Sequence, residues 1–218
     1  MNLIARKTVA AAVTETLREQ IVSGVLPIGT VLRQEELARE LGVSRTPLRE
    51  AITHLTVEGL VRNDTHKGAV VRKPTRAELE EAYLIRETLE GLAARLAAER
   101  STSADVDRLQ SILDQFDAAD DPEEWAQLNT RFHMEIYAIS GREQLCELIS
   151  SIRNRTEVFV RMLVTRPGRA EVAHQDHVRI LDALARADSE TAEEETRRHL
   201  GQTVAHVRED LPEAANSD

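Results

Sequence analysis

The chain has 218 residues, 41% hydrophobic and 30% charged, and its 28 basic and 38 acidic residues give a formal net charge of −10. This composition excludes an intrinsically disordered chain, and the length suits one large or two small domains. Aromatic residues make up only 3% while Ala, Leu, Glu and Arg dominate, which favours helices. The single cysteine, Cys146, excludes an intramolecular disulfide and a zinc finger built on cysteines.

The start of the chain lacks the features of a signal peptide, because no long apolar region precedes a small-residue cleavage site. No apolar run approaches the roughly 20 residues that a membrane-spanning helix needs. Together with the single cysteine, these features predict a cytoplasmic protein.

The charge is distributed unevenly along the chain. The first 75 residues carry 11 basic and 8 acidic residues, a net charge of +3, whereas the remaining 143 carry 17 and 30, a net charge of −13. A polyanion would be attracted to the first part and repelled by the second. We therefore expect two domains with different partners.

The N-terminal part begins with a predicted amphipathic helix. Hydrophobic side chains recur at every fourth residue from Val9 to Ile21, as on one buried helix face. Thr8 is suited to cap the start of this helix and Gly24 to end it.

Two shorter helices and a hairpin follow. These elements are predicted at about residues 35–41, 44–58, 60–62 and 69–71. Ser44 is expected to cap the third helix, and Pro47 lies in its first turn, where a missing N–H is tolerated. The turn-rich segment 63–68 separates the two β-prone pieces. This order of elements is that of a winged helix-turn-helix domain, which we place at residues 1–74.

The C-terminal part is predicted to be helical almost throughout. Breaks rich in Ser, Asp, Pro and Gly delimit six helices, at about 76–100, 104–118, 122–140, 142–165, 169–187 and 189–209. Six helices of this length can enclose one core. We therefore predict a mainly α protein in which residues 75–218 form an all-helical bundle.

The segment GTVLRQEELARELGVSRTPLREAITHLTVEGLV, residues 29–61, is the most specific motif. It resembles the winged helix-turn-helix of the GntR family of bacterial transcription regulators, and the resemblance extends over residues 8–73. A recognition helix places its N-terminal residues against base edges in the major groove, and a wing tip approaches the minor groove. The residues expected to contact DNA are therefore Ser44, Arg45, Thr46, Arg49, Lys67 and Gly68.

Other roles remain open for several of these residues. Ser44 could act only as a helix cap, Gly68 only as a turn glycine, and a helical arginine is often simply solvated. One position departs from the pattern: Glu35 stands where some relatives carry a further arginine, and the nearby Arg33 occupies a different position.

Residues 76–210 resemble the all-helical ligand-binding domain of the FadR subgroup, called the FCD domain. The matching residues lie in four short pieces: Leu84–Glu90, Leu128–His133, Asp176–Leu184 and His199–Leu200. Six helices are more similar to the VanR-like branch than to the seven-helix FadR-like branch.

The FCD resemblance implies a divalent metal site with one Asp or Asn ligand and three His ligands. The matching residues are Asn129, His133, His177 and His199. Asn129 and His133 are four residues apart and share one helix face. This donor set suits Zn best, with Ni or Mn as alternatives. Asn in place of the common Asp lowers the negative charge of the site and its affinity for hard cations.

A small carboxylate is the effector that this resemblance implies. Arg86 matches a cavity-lining arginine of relatives, although a surface ion pair with Glu90 is an equally open role. Arg153 and Asn154 are further candidates for the effector site.

These features predict a metabolite-responsive transcription regulator, which we expect to be a repressor. It would bind double-stranded DNA as a homodimer on a pseudo-palindromic operator and respond to a small organic acid. Two alternatives stay open, a metal-dependent enzyme using the three histidines and a dimeric DNA-binding protein with a purely structural bundle. The enzyme is disfavoured because the sequence has no HExxH motif.

Overall fold

The computed structural model describes residues 8–164 and 169–211, and the chain divides into two compact units between Pro74 and Thr75. The first unit contains α1 (Val9–Val22), α2 (Gln34–Glu40), α3 (Arg45–Val57), β1 (Val61–Asp64) and β2 (Gly68–Val71). The second contains α4 (Arg76–Ala98), α5 (Ser103–Ala118), α6 (Pro122–Ile139), α7 (Glu143–Val164), α8 (Arg169–Ala185) and α9 (Ser189–Asp210). The predicted mainly α fold with a small wing is confirmed.

Helix α1 begins and ends as its sequence predicts. The hydroxyl of Thr8 accepts a hydrogen bond from the Ala11 N–H, and Gly24 follows the helix with φ +78°. The hydrophobic face packs against α3 and buries Leu17 completely. Val9, predicted to belong to this face, is instead 59% exposed, because it lies in the first turn where Ala10 faces the core.

The wing is a two-stranded antiparallel hairpin with the register Val61↔Val71 to Asp64↔Gly68. The first strand runs two residues further than predicted, so the turn is shorter than the segment 63–68. The Asp64 carboxylate explains the difference, because it accepts hydrogen bonds from the N–H groups of His66 and Lys67 and closes a tight turn.

The six helices of the second unit agree with the predicted ranges to within two residues at each end. Side-chain caps set the starts of α4 and α5: Thr75 and Glu78 form a reciprocal capping box on α4, and Thr102 and Asp105 form one on α5. Such local caps are the reason why the helix bounds could be read from the sequence.

One hydrophobic core joins all six helices of this unit, and α4 packs along α9 over much of its length. Gly91 on α4 permits this close approach, since a Cβ atom there would lie 2.9 Å from Cγ of Arg197 on α9. Helix α9 also packs against α8, while α6 packs against α4, α5 and α7. Among the described residues, no helix is both long and apolar enough to cross a membrane.

Candidate metal centre and nucleic-acid interface

Three histidines from three helices converge in the core of the second unit. His133 lies on α6, His177 on α8 and His199 on α9, and all three are buried. One ring nitrogen of each lies within 4.8 Å of those of the other two. The Nε2 atoms of His133 and His177 are 3.2 Å apart. The structure thus brings together the three histidines that the sequence predicted as ligands.

Asp176 orients one of these rings. Its carboxylate is fully buried and lies 3.2 Å from Nδ1 of His199, which leaves Nε2 of that ring for another partner. Arg198 lies 3.0 Å from the same carboxylate, and Arg179 also pairs with it. Carboxylates that hold the second nitrogen of a metal-binding histidine are common. This role was not predicted from the sequence, although Asp176 directly precedes His177 in the matching piece Asp176–Leu184.

Asn129 is the fourth predicted ligand. It is buried on α6, one turn before His133, and both line one cavity of about 60 Å³. Of the other two histidines of this unit, His174 lies 3.2 Å from Asp117, and His206 lines the cavity.

Two of the three predicted effector residues line this cavity. Arg86 and Arg153 are buried and line the same cavity as Asn129, whereas Asn154 is half-buried and is not among its lining residues. Tyr83 and Trp125 contribute aromatic surface to its wall.

The two arginines belong to a buried group of four charges that also contains Glu90 and Glu157. Arg86 donates to Glu90 over 2.6 Å and to the hydroxyl of Thr156 over 3.0 Å. Arg153 lies 3.7 Å from Glu90 and 3.5 Å from Glu157. The ion pair foreseen between Arg86 and Glu90 therefore exists, but in the interior, and it coexists with a place in the cavity wall.

Glu90 is the centre of this group, which we call the charge quartet (Arg86, Glu90, Arg153 and Glu157). The Tyr137 hydroxyl donates to its second oxygen. Burial raises the pKa of Glu90, but Arg86 and Arg153 outweigh this effect and hold the pKa below its usual value. Glu90 is thus ionised between its two arginine partners.

The histidine cluster has the chemistry that a divalent ion requires. Burial lowers the pKa of His133 and of His177 well below 6.5, so both rings are neutral and can donate a lone pair. Within the described residues, Nδ1 of each of these rings finds no hydrogen-bond partner. Three imidazoles, those of His133 and His177 neutral, and one amide oxygen form a donor set that fits Zn²⁺ or a similar ion.

The predicted DNA-contacting residues of the first unit are accessible at the start of α3. Ser44, Arg45, Thr46 and Arg49 are all exposed. Ser44 occupies the N-cap position, but its side chain makes no capping hydrogen bond within the described residues, contrary to the expectation that it caps α3. Its hydroxyl is therefore available to another partner.

The wing tip exposes the other two predicted contacts. Lys67 and Gly68 are both exposed, and Gly68 has φ +79°, a conformation that favours glycine. The turn role considered for Gly68 is thus real, and it leaves the backbone accessible.

The buried histidines predict a loss of stability in acid. The unfolded chain protonates its histidines near pH 6.5, whereas His133 and His177 stay neutral to lower pH, so the unfolded state binds more protons below that value. We expect the melting temperature of chelator-treated protein to fall between pH 7.5 and pH 5.5. His177→Gln should make this fall shallower, while His66→Gln, at an exposed site, should leave it unchanged. A melting temperature independent of pH in the wild-type protein would contradict the conclusion that His133 and His177 are neutral in the folded state.

Two family models match the chain. Residues 9–71 match the gntR family of bacterial regulatory proteins, and residues 81–202 match the FCD domain, known as a metal-binding regulator domain.

Similar proteins agree with these matches. The chain is 30% identical over 199 residues to a probable D-xylose utilization operon transcriptional repressor of Paenarthrobacter nicotinovorans, covering 90% of this chain and 88% of that protein. It is 32% identical to the Nta operon transcriptional regulator of Aminobacter aminovorans, with 87% and 93% covered. The solved structure of Escherichia coli McbR/YncC superposes with a TM-score of 0.82 at 27% identity, covering 93% of this chain and 98% of that one. The chain belongs to the GntR family of transcription regulators, with an FCD domain following its DNA-binding domain.

Proposed function

We propose that this regulator is a repressor that binds one divalent ion and a small carboxylate effector in its FCD domain and releases its operator when the effector binds. The observation that carries the proposal is the convergence of three buried histidines, two of which, His133 and His199, line one cavity together with Arg86 and Arg153. In this proposal the DNA-binding domain spans residues 1–74, and the effector-binding domain spans residues 75–218.

The proposed metal ligands are Asn129, His133, His177 and His199, with Zn²⁺ as the expected ion and Ni²⁺ or Mn²⁺ as alternatives. Three features support this set. The imidazoles of His133 and His177 are neutral, Asp176 holds the ring of His199, and Asn129 offers an uncharged amide oxygen. A bound ion would offer a Lewis-acidic position to one oxygen of a carboxylate.

The proposed effector contacts are Arg86 and Arg153, because both line the cavity that Asn129 and His133 also line. Guanidinium groups favour carboxylates as partners. Asn154, which sequence analysis also proposed, has less support, since it lies outside the lining. A volume of about 60 Å³ favours a small organic acid. The effector acts on DNA binding only if it binds the DNA-free state more tightly.

Removal of the metal should destabilise the protein. A ligand that binds only the folded state raises stability by mass action, so chelation should lower the melting temperature by several degrees. His177→Ala and His199→Ala should reduce this chelator effect, whereas the exposed His54→Ala should not. Small carboxylates should raise the melting temperature only in metal-loaded protein.

Elemental analysis decides the outcome independently of folding. We expect close to one divalent ion per wild-type chain. Absence of bound metal both after purification and after soaking with Zn²⁺, Ni²⁺ or Mn²⁺ would refute the site.

For DNA, we propose that α3 enters the major groove with Ser44, Arg45, Thr46 and Arg49 towards bases and phosphates, and that Lys67 and Gly68 approach the minor groove. The exposure of all six residues supports this docking.

Arg49→Ala should weaken binding to a duplex selected by the full-length protein from a randomised pool. Loss of one bidentate base contact costs about 1–3 kcal/mol, while binding to a scrambled duplex should change much less. Arg39→Ala, an exposed arginine at the end of α2, removes the same charge and controls for phosphate attraction. Equal losses on both duplexes in Arg49→Ala would assign this residue to the phosphate backbone.

We further propose that the protein is a homodimer formed through the FCD domain, since one winged helix reads only a half-site. Exposed hydrophobic side chains on α4 support such an interface: Leu84 is 66% exposed, and Ile85 and Leu92 are each 42% exposed.

Sedimentation tests this assembly. Full-length protein at micromolar concentration should have close to twice the 24.4 kDa mass of one chain. Leu84→Glu should shift it towards monomer, whereas Leu148→Glu, at an exposed position on α7, should not. A monomeric wild-type protein would disprove the proposal.

A further inference from the structure

An ion pair links the two helices of the helix-turn-helix at the residue where the recognition helix begins. The Glu35 carboxylate, in the first turn of α2, lies 3.5 Å from Nη1 of Arg45, the first residue of α3. Both side chains are largely exposed, 83% for Glu35 and 66% for Arg45. The pair thus lies on the surface that the proposed docking turns towards DNA.

Stability does not account for this pair. Exposed ion pairs contribute about 0–1 kcal/mol, and Arg45 is held by one long contact. A carboxylate in the first turn also favours the dipole of α2, but Glu36 provides the same effect. Glu36 pairs with Arg33, at 3.2 Å, and within the described part of the chain it has no ion pair with α3. Contact with Arg45 is what distinguishes Glu35 from its neighbour.

A carboxylate at this place has a cost for DNA binding. The phosphate backbone repels it, which lowers affinity for every duplex irrespective of sequence. An arginine at the start of a recognition helix can bind either a phosphate or the O6 and N7 atoms of guanine. A carboxylate beside Nη1 of the guanidinium restricts these choices and leaves its other nitrogens for a base.

We propose that Glu35 is a specificity-determining residue that positions Arg45 for base recognition and reduces sequence-independent binding. This inference rests on the proposed docking of α3. It assigns to Glu35 a gain in discrimination at the expense of affinity, a use of unfavourable charge that specific interfaces often show.

The test compares full-length variants on two duplexes, one selected by the wild-type protein from a randomised pool and one scrambled. Glu35→Gln keeps the shape of the side chain and removes its charge, and Glu36→Gln is the matched control in the same helical turn. Arg45→Ala and the double variant Glu35→Gln/Arg45→Ala show whether Glu35 acts through Arg45. Circular dichroism and melting curves verify that each variant is folded.

We expect Glu35→Gln to raise affinity for the scrambled duplex about two- to fivefold at low salt. Its ratio of selected to scrambled affinity should fall about tenfold, as expected when one arginine–guanine contact loses its orientation. Glu36→Gln should leave the ratio unchanged. In the Arg45→Ala background, adding Glu35→Gln should not lower the ratio further.

The results separate this inference from the proposed docking. If Arg45→Ala lowers the ratio but Glu35→Gln behaves like Glu36→Gln, the docking stands and the role of Glu35 is refuted. If Arg45→Ala leaves the ratio unchanged, Arg45 does not read bases, and both the docking at this residue and the inference fall. A ratio lowered by Glu35→Gln equally with and without Arg45 would mean that Glu35 contacts DNA itself, which overturns the positioning role.

Discussion

The architecture of the FCD domain depends on the convergence of α6, α8 and α9 around three buried imidazoles. Burying three polar rings is unfavourable unless their nitrogens find partners. His199 finds one in Asp176, and His133 and His177 contact each other, yet two ring nitrogens remain without a partner in the described part of the chain. The hydrophobic core around them, from Phe116 to Leu184, holds this arrangement in place. The domain thus holds three imidazoles together at the expense of unsatisfied hydrogen-bonding groups.

Much of the fold could be predicted because its signals are local. Capping side chains such as Thr75 set helix starts, and glycines such as Gly24 set helix ends, so the bounds follow from short stretches of sequence. The bounds of the wing strands were predicted less accurately, because the hydrogen bonds of Asp64 that shorten the turn leave no strand pattern in the sequence. Val9 shows the limit of periodicity: four-residue spacing continues past the point where the helix leaves the core.

The site was predictable where a motif gave the residues and not where packing decides. His133, His177 and His199 meet as the family pattern implies. By contrast, nothing in the spacing between residues 90 and 153 shows that Glu90 and Arg153 share one buried group, because that contact depends on how α4 and α7 pack. The same packing decides that Arg153 lines the cavity and that its sequence neighbour Asn154 does not.

The charge quartet restricts how the sequence of this regulator can evolve. Removing one member of a buried ion pair leaves an uncompensated charge and costs about 3–5 kcal/mol, a large part of the stability of a typical domain. Replacing an arginine together with its carboxylate partner by apolar residues of similar volume is close to neutral. Variation in this wall of the cavity should therefore occur in pairs, so that related regulators either keep Arg86 with Glu90 or lack both. A change of effector that needs a new charge in the wall would have to pass through a compensating second substitution.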